Sequence, residues 1–150
     1  MKLKFYKIRK TAKLPVRTHE TDAGMDIFYC PKHHKEVAFS IPRISSRVVP
    51  TGLKVEVPKG YMLEIKNKSG IASKRQLLVG ACVVDPGYDG EIYINLHNLG
   101  HETQIIEPGE KIAQAVLVPI VYCEPHEVFE DTLNKDADRG NAGFGSTGRW

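Results

Sequence analysis

An apolar run over residues 77–84 ends on a single carboxylate, Asp85, followed at once by Pro86-Gly87, an aromatic at Tyr88, and Asp89-Gly90. An acid where an apolar strand gives out can do one of two things. It can close the turn by accepting nearby backbone N–H groups, as aspartate commonly does. It can also be a functional group. A second acid, Asp26, follows the small residues Ala23-Gly24, where glycine permits close backbone approach or a positive φ. A turn entering a strand accounts for that segment taken alone. Asn67-Lys68-Ser69-Gly70 sets a cation, a hydroxyl and a glycine in succession. Backbone N–H groups with lysine and serine suit a phosphate, and an ordinary capped helix uses the same residues. The spacing is not that of a Walker A loop.

Two further features belong with these. Gln114 interrupts the most apolar strand of the chain, over residues 111–121, and a neutral amide there must meet either a backbone group or a ligand. The last twelve residues hold four glycines together with Arg139, Phe144, Ser146, Thr147 and Arg149. Glycine-rich ends are commonly disordered because ordering them costs backbone entropy. This end also carries what is needed to clamp a phosphate and stack on a base, so it could order over a ligand as a lid.

The elements that must position these groups read as strands. Period-two alternation predicts a hairpin of residues 77–84 and 91–98, with Ile92, Ile94 and Leu96 on one face. Residues 52–57 alternate cleanly, with Leu53, Val55 and Val57 inward, and residues 61–66 put Leu63 and Ile65 on one face. Further strands are expected over 2–8, 36–41, 46–50, 102–106 and 111–121, with Pro119 bending or ending the last. Short strands every eight to twelve residues with Pro and Gly punctuation indicate an all-β sandwich or barrel. One short helix is expected over 69–74, with Ser69 as its cap.

The chain has 150 residues, enough for one domain with a real core. Its 41% hydrophobic and 26% charged residues are those of a soluble globular protein. The longest charge-free apolar stretch, residues 112–123, is broken by Pro119 and far too short for a membrane span. The N-terminus lacks a signal-peptide apolar region. A net charge of +3 with no basic stripe argues against a nucleic-acid binder. Three cysteines, Cys30, Cys82 and Cys123, fit a reducing compartment. The pairs Cys30/His33 and Cys123/His126 could in principle make a zinc site, but the usual paired-cysteine spacing is absent.

Five segments stand in a fixed order: AGMDI, NKSG, VVDPGYDGEI, KIAQAV and RGNAGFGSTG. Together they resemble the five motifs of the trimeric dUTPases, over residues 23–148. The resemblance implies a distorted jelly roll of the β-clip type, a single domain over 1–150 with a core to about residue 135 and a flexible glycine-rich arm from about 136. It implies a homotrimer with active sites between subunits, each closed by a third subunit's arm. It implies hydrolysis of dUTP to dUMP and pyrophosphate with Mg²⁺, inside the cytoplasm or, for a virus- or phage-encoded protein, the host cell.

Residue by residue, the resemblance makes Asp85 the base that activates the attacking water and Tyr88 the ring that packs on the deoxyribose. Backbone groups around Cys82, Val84 and Tyr93 would read the uracil. Lys68, Ser69 and Gly70 would hold phosphate oxygens, and Gln114 would contact phosphate or the water. Arg139 would pair with the γ-phosphate, Phe144 would stack on the base, and Gly145, Ser146 and Thr147 would cradle the outer phosphates. Asp26 would stand near the hydrated Mg²⁺, through water.

The chain departs from the family at three of these places. Lys68 replaces the usual Arg and lacks its bidentate fork. Cys82 replaces a usual Gly, which bears on base selectivity, and Ala142 replaces a Gly in the arm. The related dCTP deaminases share the fold but need a Glu in the base pocket, for which Glu91, past the turn, is the nearest candidate. A nucleotide-sensing regulatory trimer is a third reading.

Overall fold

Leu53, Val55 and Val57 are buried while Glu56 faces solvent, and the same alternation sets most of the fold. The computed structural model describes residues 1–33 and 38–133. It has eleven strands: β1 (Lys4–Lys7), β2 (Met25–Phe28), β3 (Phe39–Ile41), β4 (Ser45–Pro50), β5 (Leu53–Glu56), β6 (Tyr61–Lys66), β7 (Leu77–Val79), β8 (Val83–Val84), β9 (Tyr93–Asn98), β10 (Gln104–Ile106) and β11 (Lys111–Pro119). One helix, α1 (Ser69–Arg75), and a 3₁₀ turn at Glu130–Thr132 complete the secondary structure of the described residues.

The strands order as β2-β11-β6-β8 and β4-β9-β7, with two-stranded ribbons β1-β5 and β10-β3. All these pairings are antiparallel. This is the all-β, distorted jelly-roll architecture that was expected. The core collects the inward faces of the sheets, including Ile27, Leu63, Ile65, Ile94, Leu96 and Ile112. β11 ends at Pro119, which has no N–H to extend the ladder.

Two expectations need correction. The run over residues 77–84 is not one arm of a hairpin. β7 pairs with β9, whereas β8 pairs with β6 in the other sheet. The chain crosses between sheets at 80–82. Gly80 N–H still donates to Asn95 O at 2.9 Å, and Cys82 O accepts from Ile65 N–H at 2.7 Å. A Cβ on Gly80 would stand 2.3 Å from both Asn95 Oδ1 and His97 Nε2, so any larger residue would have to displace those side chains where the strand leaves. Leu77 and Val84 are both buried, and an apolar run reads alike whether it serves one sheet or two.

The second correction concerns α1. Lys68, not Ser69, occupies the N-cap, with extended backbone and no side-chain cap bond. Its carbonyl accepts the N–H groups of Ile71 and Ala72 at 3.0 and 2.9 Å, so the helical ladder starts one residue before Ser69. The helix ends on Gln76 in the left-handed conformation, its N–H returned to Ile71 O.

Candidate functional site

Sheet register brings the first group together. Asp26 on β2 lies opposite Gln114 on β11, and Gln114 lies opposite Lys66 at the end of β6. The chain leaves β6 directly into Asn67 and Lys68. A cavity of about 230 Å³ opens here, lined by Thr18, Asp22, Ala23, Gly24, Asp26, Lys68 and Gln114.

Asp26 is a buried carboxylate held by two cations: Lys68 Nζ lies 2.7 Å from Oδ1 and Lys111 Nζ lies 2.7 Å from Oδ2. Burial pushes its pKa up, but the hydrogen bonds and charges of Lys111 and Lys68 outweigh that and hold it below the usual carboxylate range. Gln114 Nε2 donates to Asn67 O at 2.8 Å, and Asn67 Oδ1 accepts from Val79 N–H at 2.6 Å, so the amide and the loop before α1 fix each other. Gly24 matters for space: a Cβ there would lie 2.2 Å from Gln114 Oε1. Lys68 and the Gln114 amide bring N–H donors to a cavity whose buried carboxylate, Asp26, is already paired, and such donors can hold an anion such as phosphate.

The second group surrounds the turn after β8. Asp85 is exposed at the end of that strand. A cavity of about 170 Å³ is lined by Val83, Val84, Asp85, Tyr88, Glu91, Ile92 and Tyr93. Tyr88 N–H donates to Asp85 O at 3.3 Å, and Tyr88 Oη donates to Glu91 O at 2.9 Å. Glu91 is itself pinned. Arg9 grips it through both terminal nitrogens, and Gly52 N–H donates to Oε1 at 2.7 Å. Burial raises the Glu91 pKa, while bonds from Arg9, Gly52 and Tyr93 outweigh it and leave the group below its ordinary value. The bond to Glu91 in turn raises the Arg9 pKa. With both oxygens taken by Arg9 and one also by Gly52 N–H, Glu91 has no free oxygen for a water or a base, which speaks against a deaminase role at this position.

The sequence-derived site residues therefore fall into two groups. Asp85, Tyr88, Val84 and Tyr93 share one cavity, and Asp26, Lys68 and Gln114 share the other. Ser69 and Gly70 open α1 on the exposed surface next to Lys68, and Cys82 sits in the crossing without lining either cavity. Arg139, Phe144, Gly145, Ser146 and Thr147 lie outside the described residues. Lys111 and Arg9 are the partners that sequence reasoning did not supply, and Glu91 entered it only as a candidate deaminase Glu. Lys111 is separated from Asp26 by most of the chain, and Arg9 from Glu91 by 82 positions.

As to metals, no cluster of three or more His, Cys, Asp or Glu side chains forms among the described residues. Cys30, one half of the zinc-like spacing, is buried and receives Arg9 Nε on its sulfur at 3.5 Å. No helix among the described residues is long and apolar enough to cross a membrane.

A family profile described as dUTPase matches residues 10–148. The chain is 40% identical over 150 residues to the deoxyuridine 5'-triphosphate nucleotidohydrolase of Gloeothece citriformis, covering 99% of this chain and 97% of that protein. The structure of the Staphylococcus bacteriophage 80alpha dUTPase with dUPNHPP superposes with a TM-score of 0.85 at 30% identity, over 98% of each chain. A mutant dUTPase from phage phi11 of S. aureus, described with a structural Mg(II) ion, gives a TM-score of 0.76 at 28% identity, over 87% of this chain and 99% of that one.

Proposed function

The chain belongs to the dUTPase family, and on that premise we propose that it hydrolyses dUTP to dUMP and pyrophosphate, water activated by Asp85 attacking the α-phosphate. The observation that carries this reading is the cavity shared by Asp85, Tyr88 and Tyr93. A carboxylate stands there beside an aromatic ring whose hydroxyl is tied down, at the edge of an apolar strand. Asp85 takes the proton of the attacking water. Tyr88 packs on the deoxyribose and leaves no room for a 2′-hydroxyl. Backbone groups of residues 82, 84 and 93 read the uracil edge.

Hydrolysis of a triphosphate needs positioning and charge neutralisation more than covalent chemistry. Lys68, with Ser69 and Gly70, holds phosphate oxygens, and Gln114 contacts phosphate or the water. Arg139, Phe144, Gly145, Ser146 and Thr147 close over the substrate from the arm.

Mg²⁺ is the proposed cofactor. It is a hard ion that keeps several waters and binds through substrate phosphates and one or two carboxylates. Asp26, whose oxygens already carry Lys68 and Lys111, would meet such an ion only through the ion's water shell, beside the substrate phosphates that supply its direct ligands. When bound, Mg²⁺ supplies the positive charge that Lys68 and Arg139 cannot provide alone.

The proposed assembly is a homotrimer with shared sites. In support, the cavity with Asp85 and the cavity with Lys68 have no lining residue in common, so a site that uses both groups can be completed between copies. Val121 and Phe129, at 92% and 83% exposure, also leave apolar surface for a second copy. The three free cysteines support an intracellular setting.

The test is pyrophosphate release from dUTP, dCTP, dTTP and UTP, each with Mg²⁺ and with EDTA. Fast Mg²⁺-dependent cleavage of dUTP alone is expected. Cleavage of dCTP as well would mean that Cys82 reshapes the base pocket, and no cleavage of any would remove the enzymatic reading.

A further inference from the structure

Asp26 has more positive charge around it than a carboxylate needs. Its side chain is 8% exposed, and each oxygen carries its own ammonium group at 2.7 Å. One cation is enough to keep a buried carboxylate from standing unpaired; the second is surplus. The two lysines are not equivalent in place. Lys68 lines the phosphate cavity with Gln114, whereas Lys111 holds the other oxygen and does not line it.

Lys111 is delivered there by an irregularity in the ladder. On β11, Gln114 pairs with Asp26 and Ala113 with Ile27, but the register then shifts and Lys111 pairs with Phe28. An unbroken ladder would put Ile112 opposite Phe28 and Lys111 opposite Tyr29, on the same face as Ile27. The extra residue moves Lys111 to the face shared by Phe28 and Asp26, while Ile112 and Ala113, consecutive in sequence, both stay buried. A bulge that re-aims one side chain beside a site is a common device.

We infer that Lys111 is the standing counter-ion of Asp26, and that it frees the charge of Lys68 for the phosphates of the substrate. The inference rests on the reading that this cavity takes the triphosphate. Without phosphate, Lys68 and Lys111 share Asp26. When phosphate enters, the Lys68 ammonium turns to it, and Lys111 stays, so the buried carboxylate is never left without a cation. Lys111 is thus a positioning residue and need not touch the substrate. If it is removed, Lys68 is the one cation left to Asp26, and phosphate must compete with a buried carboxylate for it.

The test is calorimetric binding of the non-hydrolysable α,β-imido analogue of dUTP in EDTA, which removes any contribution of Mg²⁺ at Asp26. Lys111→Met should weaken binding by about tenfold or more, the worth of one charge-assisted hydrogen bond. Lys111→Arg should bind like the parent. The double variant Lys111→Met with Asp26→Asn should recover most of the loss, because the competitor for Lys68 is then neutral. A melting curve checks each variant, and Lys111→Gln replaces Lys111→Met if the latter does not fold. Parent-like affinity in the Lys111 single variant overturns the inference, and so does a loss that the double variant does not restore. A parent protein that binds no analogue would instead remove the proposed function.

Discussion

The hydroxyl of Tyr88 donates to the backbone carbonyl of Glu91, three residues on and 2.9 Å away. That bond lays the phenol ring across the turn that follows Asp85. Gly90 is what makes the close fit possible. A Cβ at that position would stand 2.2 Å from Tyr88 Oη and 2.3 Å from Cζ. Tyr88 is 48% exposed and its ring can swing outward, so Gly90→Ala should displace the ring rather than unfold the chain. The expected result is a loss of discrimination between dUTP and UTP, read as the ratio of their kcat/KM values, with the melting temperature moved by no more than about 5 °C. An unchanged ratio would show that the ring does not filter the sugar.

Asp85→Asn separates chemistry from binding. The residue is exposed at the end of β8, so loss of its charge should cost the fold little. If it takes the proton from the attacking water, kcat for dUTP should fall by roughly 10²–10⁴. Affinity for the α,β-imido analogue should stay near that of the parent. Full turnover in the variant would end the assignment of Asp85 as base.

These two predictions rest on what the sequence made readable. Asp85 and Tyr88 lie three residues apart in one turn, so their meeting in one cavity is a local matter, while the roles proposed for them come from the resemblance to the family. Leu53, Val55 and Val57 alternate on one strand and were readable for the same reason. What spacing could not carry were choices made between distant segments. Residues 77–84 are apolar throughout, and nothing in that run says that its two ends join different sheets. Lys111 faces Asp26 only because of a register shift inside β11, and a bulge leaves no clear mark in an apolar strand. Arg9 and Glu91 find each other across 82 positions, which no local pattern encodes.

Gly24 sets a further test on the phosphate side. Gln114 fills the space where a Cβ would stand, with Oε1 at 2.2 Å and its own Cβ at 3.1 Å. Gly24→Ala should therefore push the Gln114 amide from its place and break its 2.8 Å bond to Asn67 O. If the amide contacts phosphate or water, KM for dUTP should rise severalfold or kcat should fall by a similar factor, as loss of one hydrogen bond allows. Steady-state kinetics decides it. Parent values in both constants would place Gln114 in a structural role alone.

The Arg9–Glu91 pair makes a prediction about pH. Both side chains are largely buried, at 19% and 10% exposure. Removing the anion leaves Arg9 charged and without its main partner, so Glu91→Gln should cost roughly 3 kcal/mol near pH 7. The folded-state pKa of Glu91 is lowered despite the opposing effect of burial. A depressed carboxylate stabilises the fold above its unfolded value, about 4.3, and this stabilisation is lost as pH falls through the lower folded value. Asp26 is depressed in the same sense, so both proteins should lose stability in acid. The informative quantity is the gap between the two unfolding curves. It should be widest at neutral pH and narrow steadily below about pH 4.3, where the unfolded chain takes up the Glu91 proton before the folded one does, until both carry a neutral side chain like the glutamine. Denaturant melts of both proteins between pH 7 and pH 3 measure it. A gap that stays constant across that range would mean that the charge of Glu91 contributes nothing to holding the turn beside Asp85.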